Sequence, residues 1–410
     1  MAKALPLDGI RIADLTWMIA GPYGTYLLAR MGAEVIKVEG LAPLDHTREN
    51  PPQADHIHGP NRSGFFNSLN AGKKSVTLRL RDPEHVKIVK QIVGVSDVVI
   101  EAFSYGTIEK FGLGYEELRR VKQDIIMVSC SGFGQDGRDK ALRAYMGTIH
   151  AYTGLNSLNG YAGGPPKATG GTWADYVSGA ALVFAVLAAL RHRKRTGSGQ
   201  FIDLCMTEVV LSLMGDAFMD YFMNGRVRGT QGNATSYAWP NNVYRCKGDD
   251  AWVAISIEND DQWDALCRVV GDDELQRSEY QDSTGRAQHT AAIDERLTVW
   301  TKDRTSLEVT EALQEAGVPS GPSSSAADLL AQPQFRERGF FVEPDHPEVG
   351  KRRIPNMPWR LSTHPDAPCP PAPLLGEHNQ YVLGTLLGMP QDVIDKLNAE
   401  RDEVLQESRS

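Results

Sequence analysis

Between residues 10 and 135 the chain alternates strand-like and helix-like segments, and this alternation constrains its fold more than any other feature. Ile10-Arg-Ile-Ala-Asp-Leu15 is a short apolar run suited to a buried strand. An Ala20-Gly-Pro-Tyr-Gly24 turn opens a helix through Arg30, Met31-Gly-Ala breaks it, and Glu34-Val-Ile-Lys-Val-Glu39 reads as a second strand. Two strands joined through a helix pair in parallel, because a parallel pair needs a crossover. The pattern continues with strands over 75–80, 97–101 and 125–129 and helices over 83–93 and 115–122. It predicts an α/β open sheet with helices on its faces, a Rossmann-like layer structure. Residues 136–175 are rich in glycine and proline, a composition that places them in functional loops.

Beyond a helical stretch over 203–224 the character changes. A strand over 252–257 and amphipathic helices over 261–270, 292–302 and 306–316 predict a smaller α+β lobe. The expected division is 1–224 for the N-terminal part of a large α/β domain, 225–320 for a small domain, and 321–410 for a linker and C-terminal part. Gly317-Val-Pro-Ser-Gly-Pro322 reads as linker, 355–374 as a proline-rich loop and 390–407 as a terminal helix. A length of 410 residues fits two lobes. The net charge of −9 disfavours a general nucleic-acid binder, which needs a basic face. Five scattered cysteines without C-x-x-C spacing argue against a disulfide framework or a zinc site. With no apolar signal core at the N-terminus, and an apolar run of 14 residues at Val177–Leu190, short of a membrane span, a cytoplasmic protein away from membranes is expected.

The chemistry gathers on Asp175, in Thr169-Gly-Gly-Thr-Trp-Ala-Asp-Tyr-Val-Ser-Gly179, where glycines run into that apolar helix. A carboxylate there is either an N-cap or a reactive group. Other sites are poorer. G-x-G-x-x-G is absent after the first strand, and Pro22 removes an amide that a phosphate cradle would use. Asn70-Ala-Gly-Lys-Lys-Ser75 lacks the glycine spacing of a nucleotide-triphosphatase loop, although Lys73 and Lys74 are suitable charges for a phosphate. His56-Ile-His58 has no third ligand at metal spacing, His150 reads as an interior histidine, and there is no G-x-S-x-G.

Many short motifs in order resemble the class III CoA-transferases, of the formyl-CoA transferase and carnitine CoA-transferase type. They are Leu7-Asp-Gly-Ile-Arg-Ile, Ala20-Gly-Pro22, Gly32–Glu39, Phe66-Asn-Ser-Leu-Asn-Ala-Gly-Lys-Lys-Ser75, Phe111-Gly-Leu-Gly-Tyr115, Ser131-Gly-Phe-Gly-Gln135, the block from Asp175 to Gln200, Gly317–Pro322 and Pro373-Leu-Leu-Gly-Glu-His378. The resemblance implies an enzyme that moves CoA from an acyl-CoA donor, succinyl-CoA by preference, to a carboxylic acid. A substituted dicarboxylate such as benzylsuccinate is the expected acceptor. It implies Asp175 as nucleophile, with aspartyl anhydride and aspartyl-CoA thioester intermediates, and no cofactor or metal beyond CoA as substrate. CoA contacts are implied at Met18, Ile19, Ala20, Leu69, Asn70, Lys73, Lys74, Phe103, Lys110 and Phe133. Arg48, Tyr145 and Gly232 are implied on the acceptor side, with Arg143, Arg226 and Arg228 as further carboxylate clamps. The C-terminal part is expected to return to the large domain, in two interlocked subunits forming a homodimer or a heterodimer with a related chain. The family's usual E-N-F-R-P-G reads Glu101-Ala-Phe-Ser-Tyr-Gly106, and a basic residue common after Glu39 is Gly40. A racemase branch of the superfamily uses histidine and an acid where this chain has Tyr145 and Met146, which argues against proton-transfer chemistry. A CoA-binding, non-catalytic partner subunit is the remaining alternative.

Overall fold

The computed structural model describes residues 4–364 and 368–407. Two compact units are present, the first from residues up to 155, 169–223 and 336 onward, the second from 156–168 and 224–335.

In the first unit six parallel strands form one sheet: β1 (Arg11–Asp14), β2 (Glu34–Glu39), β3 (Lys74–Thr77), β4 (Val98–Glu101), β5 (Ile126–Ser131) and β6 (Phe201–Cys205). Their order is β3-β2-β1-β4-β5-β6, so the direction of winding reverses between β1 and β4. This is the Rossmann-like open sheet, in which ligands bind beyond the carboxyl ends of the strands at the reversal. The central strands are apolar on both faces because helices cover both. Ile12, Ile36, Val76, Val99 and Met127 are all buried. One face packs on the Pro83–Gly94 helix through Ile88, Val89, Ile92 and Val93, and on Val382, Leu383, Ile394 and Leu397 from the chain's end. The large unit is therefore built from both chain ends.

Strand and helix positions follow the sequence pattern within three residues, the strand expected over 75–80 ending early at Thr77, with three larger differences. The helix that follows the glycine-rich loop runs over Trp173–Thr196, 24 residues, well beyond the expected apolar run of 14. By length and apolarity it would suffice to cross a membrane, so the length argument above does not hold. Its Ala174, Ser178, Leu182, Val186 and Ala189 form a buried stripe against the first helix (Ala20–Arg30), β5 and β6. Its other side leaves Phe184 77% exposed. The stretch expected as one helix over 203–224 is instead β6 followed by two short helices, Met206–Ser212 and Gly215–Asn224. Gly317–Pro322 is not a linker throughout, since its last three residues pair as a strand.

The second unit holds that strand, β9 (Ser320–Pro322), in a three-stranded antiparallel sheet with β7 (Asn241–Arg245) and β8 (Trp252–Ser256). Proline is tolerated in β9 because the strand lies at the sheet edge, where a missing amide breaks no ladder. Helices Asp260–Val270, Thr290–Thr301 and Ser306–Glu315 cover this sheet around Trp263, Leu266, Ile293, Leu297, Val309 and Leu313.

Candidate active site

The site is built by two helices that cross closely. Gly24 on the first helix and Gly179 on the long helix form the contact. A Cβ on Gly179 would lie 2.6 Å from the Ala20 carbonyl oxygen, and one on Gly24 would lie 2.9 Å from the Gly179 carbonyl oxygen. Only glycine allows this approach. One turn before Gly179 stands Asp175, third residue of its helix rather than its N-cap, which is Thr172. The approach brings its carboxyl to the amide of Ala20, the first residue of the other helix. Two helix N-termini, each the positive end of a dipole, thus converge on one carboxylate.

Asp175 opens into a cavity of about 530 Å³ at the carboxyl ends of β1, β4, β5 and β6. Its walls are the turn after β1 (Trp17, Met18, Ile19, Ala20), the segment after β4 (Ala102–Tyr105 and Thr107), Gly132 and Phe133 after β5, and Met206 after β6. Lys140, Arg143 and Tyr145 from the glycine-rich loop complete it. Burial raises the pKa of Asp175 to about 6, with its own amide and that of Ala20 opposing the rise. A carboxylate with such a value is ionised at neutral pH yet poorly solvated, a combination that favours nucleophilic attack. Glu101, at the end of β4, is pushed up to about 7 by burial, against the Ser129 hydroxyl and the Phe103 amide that it accepts. Burial also raises the thiol of Cys130, which lines the cavity, so no thiolate competes with Asp175.

Beneath the turn after β1 lies a closed set of charges. Asp14 accepts from Thr16 and Thr25 and pairs with Lys73 Nζ at 3.2 Å. Lys37 donates to the Thr16 carbonyl at 2.8 Å and pairs with Asp45 at 3.0 Å. Asp45 in turn accepts the Met18 amide at 3.3 Å. Met18 itself has φ of 67°, a left-handed conformation costly for a non-glycine residue, and this support holds it. Burial would raise Asp14 and Asp45, but the lysines, together with hydrogen bonds from Thr16 and Thr25 to Asp14 and from Thr47 to Asp45, hold both below the usual carboxylate range.

These observations sort the residues expected from sequence. Met18, Ile19, Ala20, Phe103, Phe133, Tyr145 and Asp175 line one cavity. Lys110 is exposed at the end of the Thr107–Lys110 helix, whose first residue also lines it. Lys73, Asn70 and Leu69 are buried and do not line this cavity. Lys73 Nζ is fully buried on Asp14, the Pro22 carbonyl at 2.9 Å and Asn70 Oδ1 at 2.7 Å, and Leu69 is core. Lys74 lies at the amino end of β3, near Glu34 and over the Tyr381 ring, at the opposite sheet edge from the cavity. Arg48 is not an acceptor clamp. Its guanidinium is 0% exposed, forked onto Glu39 at 2.7 and 2.8 Å, with further bonds to Pro60, Asn61 and Pro373 and its face on the Phe66 ring. Gly232, Arg226 and Arg228 belong to the second unit.

Sequence reading missed Trp17, His46, Cys130 and Lys140 as lining residues. Lys140 stands over the Tyr105 ring at 4.3 Å, the position where the E-N-F-R-P-G motif departs from its usual form. Among the described residues no group of three or more histidine, cysteine or acidic side chains is placed to hold a metal.

A model of CoA-transferase family III matches residues 7–379. The succinyl-CoA–D-citramalate CoA-transferase of Chloroflexus aurantiacus is 34% identical over 399 residues, covering 97% of this chain and 98% of its own. The beta subunit of succinyl-CoA–L-malate CoA-transferase from the same organism is 34% identical over 402 residues, again covering 97% and 98%. The crystal structure of a CaiB/BaiF family protein from Brucella suis superposes with a TM-score of 0.85 at 31% identity, covering 94% of this chain and 100% of that one. The chain belongs to CoA-transferase family III and is a CoA-transferase, acting on acyl-CoA and carboxylic acid substrates.

Proposed function

We propose that CoA passes between two dicarboxylic acids through Asp175. The observation that carries this reading is a single poorly solvated carboxylate, facing an open cavity, at the meeting of two helix N-termini. The Asp175 carboxylate attacks the thioester carbonyl of the donor, the C–S bond breaks, and CoA leaves as thiolate with a mixed anhydride left behind. The thiolate attacks the aspartyl carbon of the anhydride, releasing the donor acid and forming an aspartyl-CoA thioester. An acceptor carboxylate then attacks that carbon, giving a second anhydride and thiolate, and the thiolate takes the acceptor acyl group to regenerate Asp175. Each displacement exchanges one nucleophile for one leaving group, so no outside reactant is needed. Negative charge develops on an oxygen at every attack, and the Ala20 amide is the donor placed to meet it.

In this reading CoA lies along Met18, Ile19, Ala20, Phe103 and Phe133. Lys110, Lys140 and Arg143 supply the phosphate charge that buried Lys73 cannot. Tyr145 is assigned to the acceptor. The donor is succinyl-CoA and the acceptor a substituted succinate. Citramalate and malate, named for the two relatives, are both hydroxylated succinates, and the aromatic walls around Trp17 and Phe103 suit a larger substituent such as that of benzylsuccinate. Assembly of two subunits is part of the proposal. Phe184, Phe222 and Met223 are each more than 70% exposed, and one relative is a named beta subunit.

The test is incubation with succinyl-CoA alone, hydroxylamine or borohydride trapping, and mass spectrometry of the peptide containing Asp175. Label on Asp175, and loss of exchange in Asp175→Ala, are expected. Label elsewhere, or exchange that persists in the variant, would sink the mechanism. Product analysis with a panel of succinate, malate, citramalate, mesaconate and benzylsuccinate then identifies the acceptor.

A further inference from the structure

The helix that carries Asp175 is not capped by its own N-cap residue, since the Thr172 side chain makes no capping bond. The amide of Ala174, the residue before Asp175, instead donates to Nε2 of His150 at 3.3 Å, from a separate helix (Met146–Tyr152). The other ring nitrogen, Nδ1, lies 3.0 Å from the Thr169 hydroxyl. An Nε2 that accepts must be unprotonated, so the neutral ring carries its proton on Nδ1 and donates it to Thr169. His150 is 1% exposed, and the Trp173 ring stands 6.3 Å away. One buried imidazole therefore joins the end of the glycine-rich loop to the first turn of the long helix.

Protonation would destroy this joint. An imidazolium has no lone pair for the Ala174 amide, and it would place a buried cation at the positive end of a helix dipole. The ionisable groups on the elements around the ring are Tyr145 and Tyr152 on its own helix, Asp175 and Tyr176 on the long helix, and Glu208 on the Met206–Ser212 helix. None of them moves the ring's titration. Burial alone holds His150 below the ordinary histidine value.

We propose that His150 is a positioning residue for the CoA-accepting aspartate: a neutral imidazole cap that fixes the first turn of the long helix and so aims the Asp175 carboxyl into the cavity. The inference rests on Asp175 as nucleophile. Because the folded pKa is depressed, the cap's contribution is fully present above the unfolded value of about 6.5 and is lost as pH falls below it.

The experiment compares wild type, His150→Gln and His150→Ala in transfer from succinyl-CoA, with kcat, KM, Tm and a pH profile of kcat/KM. Glutamine keeps an acceptor for Ala174 and a donor for Thr169 but does not titrate. His150→Gln is expected to keep kcat within about threefold, while His150→Ala loses about tenfold in kcat at unchanged KM for the donor. The acid limb of wild type is expected to steepen beyond slope one where His150, held below its ordinary value by burial, takes a proton as well as Asp175. In His150→Gln it stays at slope one. Wild-type kcat in a folded His150→Ala protein, or an acid limb equally steep in wild type and His150→Gln, overturns the proposal. Should His150→Ala fail to fold, the acid limb of His150→Gln decides alone. Asp175→Asn separates the two readings. Exchange surviving in that variant removes the nucleophile assignment, whereas an inactive Asp175→Asn beside a fully active His150→Ala removes only the cap.

Discussion

Two regions of the large unit carry charge within a few residues of each other, and they use it oppositely. Beneath the turn after β1, Asp14, Lys37, Glu39, Asp45, Arg48 and Lys73 are all at most 2% exposed, and they pair with one another and bond to backbone and to the neighbouring Thr16, Thr25, Thr47, Asn61, Asn70 and Ser75 side chains. Above the turn, Asp175 has no cationic partner within pairing distance, and Lys140 and Arg143 line open space. The lower set has spent its hydrogen-bonding capacity on the fold. The upper set keeps its capacity for a ligand. Met18 is the hinge between them, strained in backbone, held from below by Asp45 and lining the cavity above.

The largest effect expected from this contrast is at Asp175. Replacing it by Ala should lower exchange by at least about a thousandfold, because among the described residues no other carboxylate lines the cavity to take the acyl group. Tm should hold or rise, since a desolvated carboxylate is removed. Loss of activity accompanied by loss of fold would break the contrast.

Arg48→Met should do the reverse. It leaves Glu39 ionised and unpaired in the interior, a defect of about 3–5 kcal/mol, read as a lowered urea midpoint. Adding Glu39→Gln should recover part of that loss, which a double-mutant cycle would measure. Should Arg48→Met instead raise KM for an acceptor acid with stability unchanged, its place in the buried set would be wrong. Gly179→Ala ranks next. Its methyl would meet the Ala20 carbonyl oxygen and push the two helices apart, costing about 1–3 kcal/mol and shifting the Ala20 amide from Asp175. Both Tm and kcat should fall, since this contact belongs to the fold and to the site at once.

Much of this was legible in the sequence, and the exceptions have physical causes. The strand–helix alternation is local, so residues such as Glu34–Glu39 were found at their observed limits. Asp175 stood out in the sequence because glycines on both sides of a lone acid have few structural uses, while its role as nucleophile is implied by the family resemblance and is part of the proposal. The cations were not legible. Lys73 and Lys74 are neighbours in sequence, yet Lys73, in the turn before β3, is buried on Asp14, while Lys74, the first residue of β3, lies near Glu34, a divergence that only tertiary structure reveals. Arg48 was taken for a clamp because a planar fork suits any carboxylate, and only tertiary structure reveals that Glu39 already occupies it. His150 was read correctly as interior, but its bond to Ala174 spans 24 positions, a separation at which no periodic pattern operates.

The smallest predicted effect is the most discriminating for the upper set. Lys140 stacks on Tyr105 where a family arginine motif is altered, and its side chain is free to meet a phosphate while resting on the ring. Lys140→Met keeps the apolar stem and the contact with the ring but removes the charge, so Tm should not move. KM for succinyl-CoA should rise about three- to tenfold, corresponding to one partly exposed charge-assisted hydrogen bond of about 1 kcal/mol. The increase should shrink as ionic strength is raised, because an exposed pair is screened over roughly 8–10 Å. Lys73→Met offers the matched control, a lysine of similar reach in the buried set. Its loss should appear in stability, through the unpaired Asp14, and any change in KM should be insensitive to salt. If the two lysines gave the same salt-dependent rise in KM, the boundary drawn at Met18 between structural and ligand-facing charge would have to move.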